Sequence, residues 1–420
     1  MAANKDKQTK SVQLPLEGIR VLDWTHWQQG PMASMMLGDL GADVIKIEDR
    51  VTGDAFRGVV AGDTGQDLTI GAGRTCFYDG FNRNKRGISI DLEKQEGREI
   101  IYRLVKTADV FVQNYRQSVK KRLALDYETL AELNPRLIYV NCTGFGCRGS
   151  SRDNPAWDLV GQAHSGLMLN IGADPPGTPA PVGLGVGDQM GGIMASYGIL
   201  AALLARERYG VGQEVEASLL GGLIWFQYQS VNNSMMVGYN YHYPPPGPAH
   251  ARWNPLVGMY QCGDGRWIAL CMQQGDRYWA DFCKVVGMDH LAKDPRYENL
   301  MARAQHCAEL VTMLEKVFAT RPSAEWLCLL RAAELIVGSV NTIADLEKDE
   351  QVLANDYIME YNHPVVNKKI KMVGMPVELS KTPGSIRRPA PEWGEHTEEV
   401  LLEAGYSWDE IGALKQREII

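Results

Sequence analysis

Neither a Cys-x-x-Cys pair nor a His-x-x-x-His pair occurs among the eight cysteines and eight histidines of this chain. Such scatter supports neither a zinc site nor a disulfide framework; no metal is expected, and the thiols are expected to be reduced in a cytoplasmic protein. No apolar run approaches the roughly 20 residues that span a bilayer, so no membrane segment is expected. Positive charge is also short. Lysine and arginine number 43 against 51 aspartates and glutamates, a formal net charge of -8 with a pI near 5.6. That balance argues against nucleic acid or an anionic membrane as the main partner. Met1–Ser11 carries lysines but no apolar h-region, so residues 1–14 read as a disordered leader and not as a secretory signal.

What is present is ordinary globular material: 420 residues, 45% hydrophobic and 22% charged, enough for two or three domains. In the first half, strand-like runs alternate with helical spacing. Ile19–Asp23, Ala42–Glu48, Ile88–Leu92, Asp109–Asn114 and Leu137–Cys142 read as strands; Met32–Leu40, Gln95–Thr107 and Tyr127–Leu133 read as helices. That alternation implies βαβ units and a mostly parallel sheet, the α/β class. Ligands of such sheets sit beyond the carboxyl ends of strands. The turns of interest are therefore Thr25–Pro31, Asp49–Asp54, Asn114–Arg122 and Thr143–Gly149.

Beyond these lie a long helix over Ile193–Tyr209, a strand at Glu214–Ser218 and an apolar helical run, Leu219–Met236, ending at the proline cluster Tyr243–Pro248. A hairpin (Met259–Cys262 with Arg266–Cys271) and helices at Arg277–Val286, Ala302–Ala319 and Ala324–Ala333 follow. Ile336–Val340 and Ile370–Val373 read as a return to the first domain. The expected boundaries are a large domain over 15–210, a linker helix over 211–235, a small domain over 236–330, and a return over 331–420.

The most informative segment is Gly183–Gly192, which sets Asp188 among five glycines just ahead of the long helix. Glycine permits unusual dihedrals and close approach of a ligand, so an acid placed there suits chemistry on a bulky substrate. The competing explanation is a tight loop whose aspartate caps the helix.

Several segments in register resemble class III coenzyme A transferases, the formyl-CoA and carnitine CoA transferase family. They are Pro15–Asp23 followed by Gly30-Pro31, Gly41–Glu48, Asn84-Lys-Arg86, Glu96-Gly97, Ala108–Val110, Asn134-Pro135 and Gly394–Thr397. The resemblance runs from about Pro15 to Ile420, and its tail is similar to branches acting on aryl-substituted acids such as phenyllactate or benzylsuccinate. It implies a large Rossmann-like domain with a parallel sheet built from both chain ends, a smaller inserted α/β domain, and two protomers interlocked as a homodimer, or a heteromer with a related subunit. It also implies no permanently bound cofactor, coenzyme A entering as acyl-CoA, and a free, bulky or aryl carboxylic acid as acceptor, with succinyl-CoA a candidate donor. Asp188 matches the family nucleophile, which passes through an aspartyl mixed anhydride and an aspartyl-CoA thioester. Gln28, Gln29, Arg50, Ile90, Asp91, Leu92, Asn114, Tyr115, Arg116, Arg122 and Asp158 match segments that line the coenzyme, Arg122 as a phosphate partner with Lys120 and Lys121 adding positive potential.

The chain departs from the formyl-CoA pattern at Asp49, where a basic residue is usual and Arg50 is the neighbour able to replace it, and at Trp27, where a smaller residue is usual. Pro244–Pro255 occupies the stretch of the tetraglycine loop, which argues against formate or oxalate. An acyl-CoA racemase or isomerase on the same scaffold would pair Asp158 with a histidine about thirty residues upstream, yet residues 122–135 contain none. A non-catalytic coenzyme-binding subunit is the third alternative. His26 and His164 are weaker candidates. Trp225, Tyr228, Tyr239, Tyr241, Tyr243 and Trp253 could line an acyl pocket or simply pack a core or interface.

Overall fold

The computed structural model describes residues 13–60, 65–171, 178–183, 185–239 and 253–420. The expected leader, through residue 12, and the proline cluster lie outside the described residues. The chain divides into two compact units, one comprising Met1–Met168, Pro181–Val237 and Ala354–Ile420, the other Leu169–Ala180 and Gly238–Leu353.

Among the described residues, eight strands precede the smaller unit's sheet: β1 (Arg20–Trp24), β2 (Asp43–Asp49), β3 (Thr69–Gly71), β4 (Arg74–Thr75), β5 (Lys85–Ile90), β6 (Val110–Gln113), β7 (Ile138–Thr143) and β8 (Gln213–Ser218). Six form one sheet in the order β5-β2-β1-β6-β7-β8, with every neighbouring pair parallel. The strands run outward from β1 through β2 to β5, then from β6 through β7 to β8. The reversal between β1 and β6 is the switch point at which sheets of this kind open a crevice.

Alternation along the strands feeds two cores, since successive side chains point to opposite faces. Leu22, Trp24, Ile45, Ile47, Phe111 and Tyr139 face one, where Ile100, Ile101 and Leu104 of the helix Gln95–Val105 pack with Val400, Leu401, Ile411 and Leu414 from the chain's last two helices. Val21, Val44, Val110, Val112, Ile138 and Val140 face the other, against the helices Gln29–Asp39 and Val186–Tyr209. The large unit is thus built from both chain ends. Residues 211–235, expected as a linker, hold β8 and most of the helices Leu219–Phe226 and Tyr228–Val237, all within that unit.

The smaller unit has an antiparallel sheet in the order β11-β10-β9, from β9 (Val257–Gln261), β10 (Trp267–Cys271) and β11 (Val337–Ser339). Tyr260, Ile268 and Leu270 pack there on Phe282, Leu314, Phe318 and Trp326. The Ile336–Val340 run therefore completes this sheet instead of starting the return. The helix expected over 302–319 is two, Leu300–Gln305 and Cys307–Phe318, with His306 off helical dihedrals between them. The return holds a hairpin of β12 (Ile358–His363) and β13 (Lys368–Val373).

A buried ionic network lies under the turn after β1. Lys85, fully buried, gives its three protons to Asp23 Oδ2 (2.8 Å), Pro31 O (2.9 Å) and Asn82 Oδ1 (2.8 Å). Ser34 Oγ and Thr25 Oγ1 also donate to Asp23. Lys46, equally buried, donates to Thr25 O (3.0 Å) and pairs with Asp54 Oδ2 (2.8 Å). Burial opposes the charge on Asp23, yet Lys85 and Lys46 outweigh it and hold the carboxyl below its ordinary range. Lone charges at such depth are prohibitive, whereas matched ones survive. Replacing Asp23 by Ala strands Lys85, and the expected loss is about 3–5 kcal/mol of stability, read from urea unfolding of the intact chain. Pairing it with Lys85→Met is expected to recover part of that loss.

Candidate active site

The turn leaving β1 crosses the sheet's switch point. The N–H of His26 donates to Asn114 Oδ1 (3.0 Å), and Asn114 Nδ2 donates back to His26 O (2.7 Å). This reciprocal amide pair ties the β1 turn to the β6 turn. Tyr115 is stacked between Trp24 (4.3 Å) and His26 (4.6 Å). Burial pulls the His26 imidazole down to about 4, with Asp54 opposing and Lys46 reinforcing the shift, so the ring is neutral at physiological pH. Trp27 sits at φ 61°, a conformation costly for a side chain of its size. Its N–H bonds to Asp54 Oδ1 (3.3 Å), and its ring meets Phe56 (5.2 Å) and Trp157 (4.7 Å) edge to face.

Gln28 and Gln29, both buried, reach from this turn to the acid-bearing segment and to β7. Gln28 Nε2 donates to Gly185 O, and Gln29 Nε2 donates to Thr143 O, each at 3.4 Å. The long helix starts at Val186, seven residues earlier than its apolar run suggests, so Asp188 lies in the helix's first turn and not in a loop before it. Close packing is the physical reason that glycine-rich sequence is helical here. A Cβ on Gly191 would lie 2.4 Å from Gln29 Nε2, and one on Gly187 2.9 Å from both Asp158 Oδ1 and Leu223 Cδ1. Gly185, the N-cap, sits at φ 81°, where a Cβ would also strike the Gln28 amide at 2.3 Å. The glycines thus admit neighbouring side chains to the helix backbone.

Asp188 does not cap this helix; Asp158 does. Asp158, the first residue of the helix Asp158–His164, accepts the Gly187 N–H through Oδ1 (2.5 Å) and the Gln162 amide through Oδ2 (2.6 Å). Asp158, a coenzyme-lining candidate by resemblance, thus has Oδ1 engaged at the start of the helix Val186–Tyr209. Among the described residues, no hydrogen bond or ion pair reaches the Asp188 carboxylate. Burial, assisted by the neighbouring Asp158 charge, pushes its pKa up to about 7. A half-buried, unpaired carboxylate poised near neutrality fits a nucleophile or a base more readily than a structural anchor.

The other coenzyme candidates separate into groups. Gln28 reaches Gly185 in the segment before Asp188 and Gln29 lies against Gly191, while Asn114 and Tyr115 gather on the adjoining His26 turn. Arg50 and Asp91 lie at the carboxyl ends of β2 and β5, on the far side of the sheet, against the chain's last residues: Arg50 Nε donates to Ile420 O and its guanidinium pairs with Glu418, each at 3.3 Å, while the Asp91 N–H donates to Ile419 O (2.8 Å). Ile90 and Leu92 are core side chains, so a ligand at that edge would meet backbone there. Arg116 is exposed at the start of the helix Gln117–Arg122, and Arg122 is ion-paired with Glu93. Lys120 turns inward, donating to Asn141 and lying 5.4 Å from the Tyr139 ring centre, so of the two lysines only Lys121 is exposed. Trp225 and Tyr228 point outward from their helices, and Tyr239 and Trp253 are also exposed; Tyr241 and Tyr243 lie outside the described residues.

Sequence motifs include Lys46, Lys85 and Asp54 but assign them no individual role, and nothing in the spacing singles out Gln162. Charged residues inside strands of a two-faced parallel sheet were the available signal for Lys46 and Lys85.

The sequence profile of CoA-transferase family III matches residues 16–397. The chain is 30% identical over 411 residues to a (R)-2-hydroxy-4-methylpentanoate CoA-transferase of Clostridioides difficile, covering 96% of this chain and 99% of the relative. It is 33% identical over 394 residues to the succinyl-CoA:glutarate CoA-transferase of Mus musculus (93% and 86%). A crystal structure of a CAIB/BAIF family protein from Brucella suis superposes with a TM-score of 0.80 at 28% identity, covering 93% of this chain and all of that one.

The raised pKa of Asp188 carries a sign for stability. Between its ordinary value of 3.8 and about 7, the folded chain holds a proton that the unfolded chain has released. Stability due to this residue therefore falls as pH rises through that window and is level above it. Asp188→Asn, which never ionises, is expected to unfold at a higher temperature than the parent chain at pH 8. The difference should shrink as the pH is lowered to 5; equal melting temperatures at pH 8 would count against a half-buried, penalised carboxylate.

Proposed function

We propose, from the premise that this chain belongs to CoA-transferase family III and is an enzyme moving coenzyme A between carboxylic acids, that Asp188 is the nucleophile. The observation carrying this reading is the carboxylate itself, unpaired, partly desolvated and set in the first turn of a long helix beside the switch point. Its oxygen attacks the thioester carbon of the donor acyl-CoA, the C–S bond breaks, and CoA thiolate leaves an aspartyl mixed anhydride. The thiolate then attacks the aspartyl carbonyl, releasing the donor acid and leaving an aspartyl-CoA thioester. The acceptor carboxylate displaces the thiolate from that thioester, and the thiolate finally takes the acceptor's acyl group and frees Asp188. Each intermediate stays activated, so the exchange needs no external energy source. The positive end of the helix favours the attacking anion and the oxyanions that form near it. Exclusion of water protects the anhydride.

Gln28, Gln29, Asn114 and Tyr115 are assigned to the coenzyme on the Asp188 side of the crevice, with Arg50, Asp91 and backbone at 90–92 toward the sheet edge. Arg116 and Arg122 are assigned to the phosphates, Arg122 on release from Glu93. The aromatic group of Trp27, Phe56 and Trp157 supports a bulky apolar or aryl acceptor, since Trp157 is largely exposed and directly precedes Asp158. Outward-facing Tyr197, Leu204, Tyr209, Trp225 and Met236 support an extensive homodimer interface, because a lone soluble chain seldom leaves so much apolar surface open.

Exchange of coenzyme A across a panel of acyl-CoAs and acids, followed by mass spectrometry, should show transfer, with a hydroxylamine- or borohydride-sensitive adduct on the peptide containing Asp188. Asp188→Asn is expected to lose activity by about 10³-fold or more; substantial exchange by that variant would move the nucleophile elsewhere. Because attack needs the carboxylate, kcat/KM should fall about tenfold per unit below pH 7. Asp158→Asn removes the neighbouring charge while keeping an acceptor for Gly187, and should move that acid limb to lower pH. Light scattering should give twice the chain mass of 46.6 kDa, and a monomer would remove the dimer from the proposal.

A further inference from the structure

Gln162 lies buried one turn along the helix Asp158–His164 from Asp158. Its amide is used at both ends. Oε1 accepts the Val182 N–H (2.9 Å), while Nε2 donates to Val182 O (3.1 Å) and to Asp158 Oδ2 (2.6 Å). A side chain thereby pairs with a backbone residue as a neighbouring strand would, reading both its donor and its acceptor. Asp158, oriented by that third bond, takes the Gly187 N–H. Val182 lies six positions before Asp188 and Gly187 one before. Gln28 holds Gly185 between them.

The surroundings leave this clamp little slack. Gly161, beside Gln162, is so close to the helix Leu219–Phe226 that a Cβ would lie 3.3 Å from Leu219 and Leu223, and Leu223 is also the close neighbour of Gly187. One leucine thus packs on both the clamping helix and the helix it clamps. The approach to Asp188 is fixed by amide geometry on one side and by apolar packing on the other.

We infer that Gln162 is a positioning residue for acyl transfer, its amide holding Val182 and Asp158 so that the helix carrying Asp188 starts at one defined place. The inference rests on Asp188 as the nucleophile and adds the element that aims it. Gln162 touches neither substrate nor coenzyme in this role. A nucleophile must meet the thioester carbon within a narrow cone, and a displacement of about 1 Å can cost about 10²-fold in rate.

The test compares the full-length chain with Gln162→Leu, which keeps approximate bulk and removes all three bonds, and with Gln162→Glu, which keeps the acceptor for Val182 N–H and loses both donors. The expected result for each is kcat for CoA exchange lowered about 10- to 100-fold, with KM for acyl-CoA within about twofold of the parent. Hydrogen exchange should be faster at Val182 and Gly187 in Gln162→Leu and at Gly187 in Gln162→Glu, and unchanged in the strands β1 and β6. A parent-like kcat in Gln162→Glu overturns the donor half of the clamp, and unchanged exchange at Val182 and Gly187 in Gln162→Leu overturns the clamp itself. Exchange accelerated throughout the chain assigns Gln162 a general structural role and overturns positioning. Asp188→Asn run in parallel separates the two claims: if it stays active, the nucleophile reading fails, while the exchange pattern still reports on the clamp.

Discussion

Two lysines without access to water, Lys46 and Lys85, hold the turn on which the site is built. Between them they bind the segment after β1, two acids that contact it, and Asn82. Thr25 O, Pro31 O, Asp23 and Asp54 are all bound in this way. A buried ion pair is a poor source of net stability, since desolvation offsets much of its attraction. Its value here is definition. With both ammonium groups bound to the turn and its acids, Trp27 can be kept at a positive φ that an unsupported turn would relax.

From that fixed turn, definition passes to the helix bearing Asp188 through contacts that glycine makes possible. Gln28 and Gln29 lie against the backbone of Gly185 and Gly191 at distances that exclude a Cβ. Asp158 and Leu223 occupy the corresponding space at Gly187. Glycine is a weak helix former, disfavoured by up to about 1 kcal/mol per residue relative to alanine. Three glycines (187, 191 and 192) in the first two turns of the helix are sustained by tertiary packing against local preference.

The charges around the site follow a consistent division. Acids that hold structure, such as Asp23 and Asp54, are paired with lysines and kept below their ordinary range. Asp188 has no cationic partner among the described residues, has Asp158 nearby, and is raised. One sheet edge thus separates carboxylates that must stay ionised from one whose charge is costly in the resting state. A costly charge is a reactive one, and bonding it to an acyl carbon removes the penalty.

The α/β class, the parallel sheet and the amphipathic helix over 95–105 were legible because period-2 and period-3.6 patterns are local properties of the chain. Asp188 was legible as a candidate because an acid among five glycines is rare in composition, and the segments in register supplied a family. The helix start at Val186, the inward turn of Lys120 and the capping role of Asp158 were decided by the tertiary structure. Each depends on a partner far along the chain: Gln29 for Gly191, Asn141 for Lys120, Gly187 for Asp158. Sequence spacing determines which faces of an element are apolar. Which backbone N–H an acid meets, and whether a lysine finds a buried acceptor, is settled only when distant segments pack and close off water.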